Sequence, residues 1–260
     1  SNLISILGAG ESGVGAALLA KQKGFDVWVS DYGTIKPRYK DELDTYGIKY
    51  EEGGHDEAKI LTSQKIIKSP GIPDTAPIVA KATERGIAVI GEIEFAAAYT
   101  DATLIGITGT NGKTTTTMLT YHLLHKAGLD VGMAGNVGLS FAKQVALEDK
   151  AYYVLEISSF QLDGMHTVAL DYAVLLNISP DHLDTYDSYQ AYIQSKFKIN
   201  QNQQGEQKFI YCADDEDITK QLEHYSTAAQ CIPFTYDGGP LAEGAWVENN
   251  QINITLNKPK

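Results

Sequence analysis

With 260 residues, 43% of them hydrophobic and 21% charged, the chain has a globular composition and enough length for two modest cores, so two domains are expected. A formal net charge of -12 argues against nonspecific nucleic-acid binding, which needs a basic face, but leaves room for a small polyanion held at a site that brings its own cations. No stretch approaches the ~20 apolar residues of a membrane span, Ser1-Asn2-Leu3-Ile4 lacks a basic leader, and Cys212 and Cys231 lack any metal or redox spacing; the expectation is a cytoplasmic protein with two core thiols.

The first predicted strand, Leu3 to Leu7, runs into Gly8-Ala9-Gly10-Glu11-Ser12-Gly13 and then a helix over Val14 to Lys23. This is the G-x-G-x-x-G pattern between strand and helix, and Asp31 ends the next strand, Asp26 to Ser30, where an acidic ribose contact belongs. Such glycines let the backbone approach a diphosphate at a helix N-terminus. The same pattern also serves a tight turn with close packing and no ligand, and it does not single out NAD. After the strand Lys65 to Lys68, Ser69-Pro70-Gly71-Ile72-Pro73 reads as a rigid loop at a carboxyl strand end, a ligand position in doubly wound sheets. A helix over Ala76 to Arg85 and a strand over Ile87 to Ile90 complete this series.

A boundary is expected within Gly91 to Asp101, dividing the chain into domains 1–92 and 93–260. The strand Thr103 to Thr108 then leads into Gly109-Thr110-Asn111-Gly112-Lys113-Thr114-Thr115 and a helix over Thr114 to Ala127, with Leu119, Leu123, Leu124 and Ala127 expected on its buried side. This is phosphate-loop chemistry: backbone N–H groups cradle phosphates, Lys113 reaches the outer ones, and the Thr114 hydroxyl can ligate Mg²⁺. The match departs from the strict pattern, since Ile107 stands where glycine is usual and Gly106 lies one place early.

Further on, the strand Tyr152 to Ile157 carries Glu156 near its carboxyl end, the place of a metal-binding carboxylate beside a phosphate loop, and Ser158-Ser159-Phe160-Gln161-Leu162 follows. The strand Tyr172 to Leu176 precedes Asn177-Ile178-Ser179-Pro180-Asp181-His182-Leu183-Asp184, in which His182 is either a metal-site residue or a loop histidine satisfied by hydrogen bonds. A helix capped by Ser188 spans Tyr189 to Lys198, a strand spans Lys208 to Tyr211, and Ala245 to Leu256 reads as a hairpin turning at Asn249-Asn250. The fold class is α/β with mostly parallel sheet: a Rossmann-like N-terminal domain, then a P-loop ATPase-type central domain.

At these residues the sequence resembles the Mur ligases over nearly its whole length. The loop Gly109 to Thr115, the turn Ala134-Gly135-Asn136-Val137-Gly138 and Asp181-His182-Leu183-Asp184 carry the resemblance, and Glu156 to Leu162 is similar to the segment of the member that uses D-glutamate. The resemblance implies ATP- and Mg²⁺-dependent ligation of D-glutamate to UDP-N-acetylmuramoyl-L-alanine through an acyl phosphate, by a monomeric enzyme of cell-wall precursor synthesis. It implies that the uridine diphosphate substrate is held by Gly8, Gly10, Glu11, Ser12, Gly13, Asp31, Ser69, Pro70, Gly71, Asn136, Ser158 and Gln161, and ATP by Gly109 to Thr115. Thr114, Glu156, His182 and Lys196 would serve metal; Lys113, Asn136, His182 and Lys196 would be catalytic, with Lys196 carrying a carbamate and Lys198 as its unmodified neighbour. A solvated lysine is what position 196 would be without the resemblance. The family also has a third domain that supplies the D-glutamate site, and its motifs are not in this sequence, so the chain is expected to bind nucleotide without completing ligation. Against this stand an NAD-dependent oxidoreductase, which leaves the second glycine-rich turn without a role, and a noncatalytic nucleotide-binding regulator.

Overall fold

In the computed structural model, which describes residues 2–182 and 184–257, two sheets follow one another along the chain. Ser1, Leu183 of the Asp181-to-Asp184 motif and the tail 258–260 lie outside the described residues. The first sheet is built from β1 (Leu3–Leu7), α1 (Glu11–Gln22), β2 (Asp26–Asp31), α2 (Pro37–Thr45), β3 (Lys49–Glu52), α3 (Glu57–Ile60), β4 (Lys65–Lys68), α4 (Pro77–Glu84) and β5 (Ala88–Ile90). Its order is β3-β2-β1-β4-β5, all parallel, so the chain reverses direction across the sheet between β1 and β4. That reversal opens a crevice at the carboxyl ends of β1 and β4, where the first glycine-rich turn and the Ser69-to-Pro73 loop emerge.

Helix α5 (Glu92–Ala97) leads into β6 (Thr103–Thr108), α6 (Lys113–Lys126), β7 (Val131–Gly135), α7 (Phe141–Leu147), β8 (Tyr152–Glu156), α8 (Ser159–Asp163), β9 (Tyr172–Leu175) and α9 (Tyr189–Phe197). The chain continues through β10 (Gln204–Cys212), α10 (Glu216–Leu222), β11 (Ala228–Thr235), β12 (Gly244–Glu248) and β13 (Gln251–Thr255). The order is β13-β12-β11-β10-β9-β6-β8-β7, parallel except for the β12–β13 hairpin, and β6 lies between β8 and β9. Asn249 and Asn250 turn that hairpin with φ of 52° and 60°, the left-handed pair that a two-residue turn demands. The α/β reading with mostly parallel sheet is therefore borne out. Serine and aspartate side chains start several helices: Ser140, Ser158, Ser188 and Asp215 each accept a backbone N–H from the first turn.

One apolar cluster runs through both layers, joining Ile4, Val14 and Leu19 to Phe141, Tyr153 and Phe209. Two expectations fail here. Leu119 and Leu123 are 55% and 59% exposed and Ala127 is exposed too, because α6 turns Thr117, Tyr121 and Leu124 onto the sheet cluster of Ile107, Val131 and Val154. Cys212 and Cys231 are free but half-buried, at the rim of the core and not inside it.

Candidate active site

The first glycine-rich turn is locked by its own chain. Gly8 takes φ of 91°, and a Cβ there would meet the Ser69 hydroxyl at 2.5 Å, so the turn and the Ser69-to-Pro73 loop come within reach only because the residue is glycine. A Cβ on Gly13 would fall 1.9 Å from the Gly8 carbonyl oxygen, which explains the glycine three places after Gly10. Asp31 accepts the Ala9 N–H at 2.7 Å through Oδ2 and the Gly33 N–H at 2.8 Å through Oδ1, so its carboxylate shapes this turn. Lys68 holds the neighbouring loop by donating to the Ile72 carbonyl at 2.6 Å and pairing with Asp74 at 3.2 Å. A narrow cleft follows, lined by Ser12, Lys68 and Pro70 on one side and by Phe160, Gln161 and Gly164 on the other. Glu11 faces elsewhere: its carboxylate meets the Lys143 ammonium at 3.1 Å and the Ser140 N–H at 3.2 Å.

Ser158 and Gln161 make a reciprocal cap on α8, with the Gln161 N–H donating to the Ser158 hydroxyl at 3.2 Å and the Ser158 N–H to Gln161 Oε1 at 3.0 Å. This presents Gln161 and Phe160 to the cleft. The Phe160 ring also packs edge-on against His182 at 5.2 Å between centroids, and His182 lies 6.2 Å from the Tyr192 ring. Tyr192 in turn shares a 3.1 Å hydrogen bond with the Thr110 hydroxyl. A continuous path of side chains thus leads from the first crevice to the second glycine-rich turn.

That second turn wraps the end of β6 with Gly109 at φ of 157° and Gly112 at 81°. Ile107 departs from the usual glycine because position 107 is still strand and is buried under α6. Asn177 ties the loop down, accepting the Asn111 N–H at 2.8 Å and donating to the Asn111 carbonyl at 2.9 Å. Lys113 folds back onto the loop, donating to the Gly109 and Thr110 carbonyls at 2.8 and 3.0 Å. Lys196 reaches the same place from α9, donating to the Gly109 carbonyl at 3.1 Å and the Thr108 hydroxyl at 3.3 Å. It is 2% exposed, so it is not the solvated lysine its type would suggest. Burial, reinforced by the Lys113 charge, pushes its ammonium down to about 7, against weaker opposing pulls from Asp181 and Asp163. Lys198, by contrast, is half-exposed and paired with Asp163 at 2.6 Å.

Glu156, at the end of β8, is buried; Oε1 accepts the Asn136 amide at 3.0 Å, while Oε2 has no hydrogen-bond partner among the described residues. A buried carboxylate oxygen without a donor is a costly arrangement that a cation resolves. Among the described residues, no three His, Cys, Asp or Glu side chains converge on one metal position, so Glu156 and His182 do not belong to a closed protein cage. That suits Mg²⁺, which binds through one or two carboxylates and takes its remaining ligands from phosphates and water. The residues expected around the second turn thus assemble in part: Lys113, Lys196 and Thr110 meet at the loop, and Asn136 meets Glu156. Thr114 is exposed at the start of α6, and His182 stands on the Phe160–Tyr192 side.

Tyr192 and Thr108 escaped sequence reading, although a signal for Tyr192 was present. It precedes Lys196 by four residues, one helical turn, and its ring lies 5.3 Å from the Lys196 ammonium.

Comparison with known proteins adds the following. The model described as Mur ligase MurD-like, N-terminal domain, matches residues 2–91, and that of the Mur ligase middle domain matches residues 107–254. The UDP-N-acetylmuramoylalanine-D-glutamate ligase of Porphyromonas gingivalis is 54% identical over 259 residues, 98% of this chain and 58% of that protein. The ligase of the same name from Bacteroides fragilis is 52% identical over 255 residues, 97% and 57% respectively. The chain therefore spans 58% of the length of the first of these relatives. Among solved structures, a UDP-N-acetylmuramate:L-alanyl-gamma-D-glutamyl-meso-diaminopimelate ligase from Neisseria meningitides superposes with a TM-score of 0.65 at 20% identity, covering 98% of this chain and 84% of that one. The UDP-N-acetylmuramate-alanine ligase of Thermotoga maritima gives 0.53 at 21% identity, over 91% and 53%. At these identities the structural likeness speaks for the fold.

Proposed function

Since the chain belongs to the Mur ligase family, we propose that it is the nucleotide-handling part of a cytoplasmic, monomeric enzyme that joins D-glutamate to UDP-N-acetylmuramoyl-L-alanine, with the boundary between its two domains at residues 92 and 93. The observation that carries the chemistry is the meeting of Lys113 and Lys196 on one carbonyl of the phosphate loop, with an orphaned carboxylate oxygen on the neighbouring strand, where Glu156 pairs with Ile107. Two ammonium groups around one backbone oxygen form a site short of negative charge, as a triphosphate would require.

In this reading the crevice formed by Gly8 to Gly13, Asp31 and Ser69 to Gly71 takes the uridine diphosphate, and Ser158, Gln161 and Asn136 take the muramoyl part. Residues Gly109 to Thr115 hold the phosphates of ATP through backbone N–H groups, and Lys113 swings from its own carbonyls to the outer phosphate. Thr114, Glu156, His182 and Lys196 would serve Mg²⁺, which when bound would neutralise charge between the phosphates and the substrate carboxylate. Lys196 has an amine free enough near neutral pH to take up CO₂, losing a proton and becoming a carbamate anion that exchanges repulsion from a metal for attraction. No side-chain nucleophile is needed, because the substrate carboxylate itself attacks the γ-phosphate and releases ADP, and the amine of D-glutamate then attacks the acyl carbon, losing a proton and expelling inorganic phosphate.

Calorimetric titration of this chain with UDP-N-acetylmuramoyl-L-alanine, with NADH as control, tests the reading. Selective binding of the muramoyl nucleotide is expected; binding of NADH alone would replace it with an oxidoreductase.

A further inference from the structure

The helix between the two sheets carries two acidic residues in its first turn, Glu92 and Glu94, and both are buried. Among the described residues, neither forms an ion pair with a basic side chain. Glu92 Oε1 accepts the Ser140 hydroxyl at 2.8 Å and the Ala142 N–H at 2.6 Å, at the start of α7. Glu94 accepts the N–H groups of His166, Thr167 and Val168 at 2.9, 2.9 and 3.2 Å, and the Thr167 hydroxyl. All these donors belong to the second sheet's layer. The Gly91 N–H also donates to the Gly164 carbonyl at 2.9 Å, and a Cβ on either glycine would press on the other's backbone at 3.1 to 3.2 Å. On the far side, α1 lies so close to α7 that a Cβ on Gly15 would sit 1.9 Å from the Ser140 hydroxyl. A flexible linker would expose these carboxyl groups and break several hydrogen bonds, charge-assisted at Glu94, each time it bent.

We infer that α5 is a bolt, with Glu92 and Glu94 as positioning residues that set a fixed span between the first glycine-rich turn and the phosphate loop. This rests on the function proposed above. A ligand whose diphosphate sits in the first crevice, and whose far end must reach the second, gains from that span, since the second contact becomes intramolecular at high effective concentration. A ligand confined to one side gains nothing from it. The bolt therefore selects for a nucleotide of the right length.

The test uses the full chain and three ligands: UDP for the first side, MgATP for the second, and UDP-N-acetylmuramoyl-L-alanine for both. In the Glu94→Ala variant, which spares the cleft that Glu92 helps to line, UDP and MgATP should bind as in the parent, while affinity for the spanning ligand falls about tenfold or more. Should that variant fold poorly by circular dichroism, Glu94→Gln is the milder break and Glu92→Gln, which keeps the accepting oxygen, is the rescue control. In parallel, spin labels at Lys49→Cys and Lys126→Cys, with Cys212 and Cys231 replaced by serine, should give a narrow distance distribution that broadens in the Glu94→Gln protein. Equal losses for UDP and the spanning ligand, or an unbroadened distribution, would overturn the bolt. A parent chain that ignores the muramoyl nucleotide would instead sink the proposed function, and the label distances alone would then decide the bolt.

Discussion

The two glycine-rich turns share a motif class and a place in their folds, strand before and helix after, yet they are energetically opposite. In the first, the Asp31 carboxylate is occupied by the Ala9 and Gly33 N–H groups, and Gly13 packs with no room to spare on Gly8. In the second, two lysines share the Gly109 carbonyl and, among the described residues, a buried Glu156 oxygen has no donor. The polar groups of the first turn are matched by its own backbone, whereas the second gathers positive charge that its own loop answers with carbonyl oxygens alone. Glycines alone therefore do not say whether a turn is strained for binding, because the charges converging on it decide that.

The largest effect is expected at Gly13. A valine there drives a side chain into the Gly8 carbonyl, a backbone atom that cannot give way, and should cost about 3 kcal/mol or more, read as a lower urea midpoint. An unchanged midpoint would mean the first turn is not closed as described. The second turn should respond in the opposite sense. Lys196→Met removes a buried charge and should stabilise the unliganded chain by on the order of 1 to 3 kcal/mol at pH 6. The folded-state value of this lysine, about 7, lies below its ordinary 10.5, so the penalty is complete below pH 7. It fades as pH rises from there, because the folded amine sheds its proton while the unfolded one keeps it. The advantage of methionine should accordingly shrink between pH 6 and pH 9; a constant difference would show that charge is not its origin. The smallest effect is expected at Leu119→Lys on the open side of α6, within about 0.5 kcal/mol of the parent by the same unfolding assay.

Strands with strong apolar runs were legible at once: Leu3 to Leu7 and Thr103 to Thr108 were read to the residue. Others were hidden for physical reasons. The edge strand β3 is Lys-Tyr-Glu-Glu, too polar to read as strand, and β11 contains Pro233, which is accommodated because pairing with β12 starts only at Phe234. The orientation of α6 was misread because leucines at helical spacing suggested a core face, whereas the sheet receives Thr117 and Tyr121 alongside Leu124. For Lys196 the burial was written in the sequence but easy to overlook. Tyr192, Ile193 and Phe197, all buried, place the lysine inside the apolar stripe of its own helix. The hydrogen bonds of Glu92 and Glu94 depend on backbone N–H groups 50 to 74 residues away, which no local pattern announces.

The apolar cluster that passes from Ile4 and Val14 through Phe141 to Phe209 bears on how the molecule comes apart. Two sheets with separate cores would melt in two steps, each at its own temperature. A shared core makes the loss of one layer expose the other, so heating should produce a single cooperative transition whose calorimetric and van't Hoff enthalpies agree.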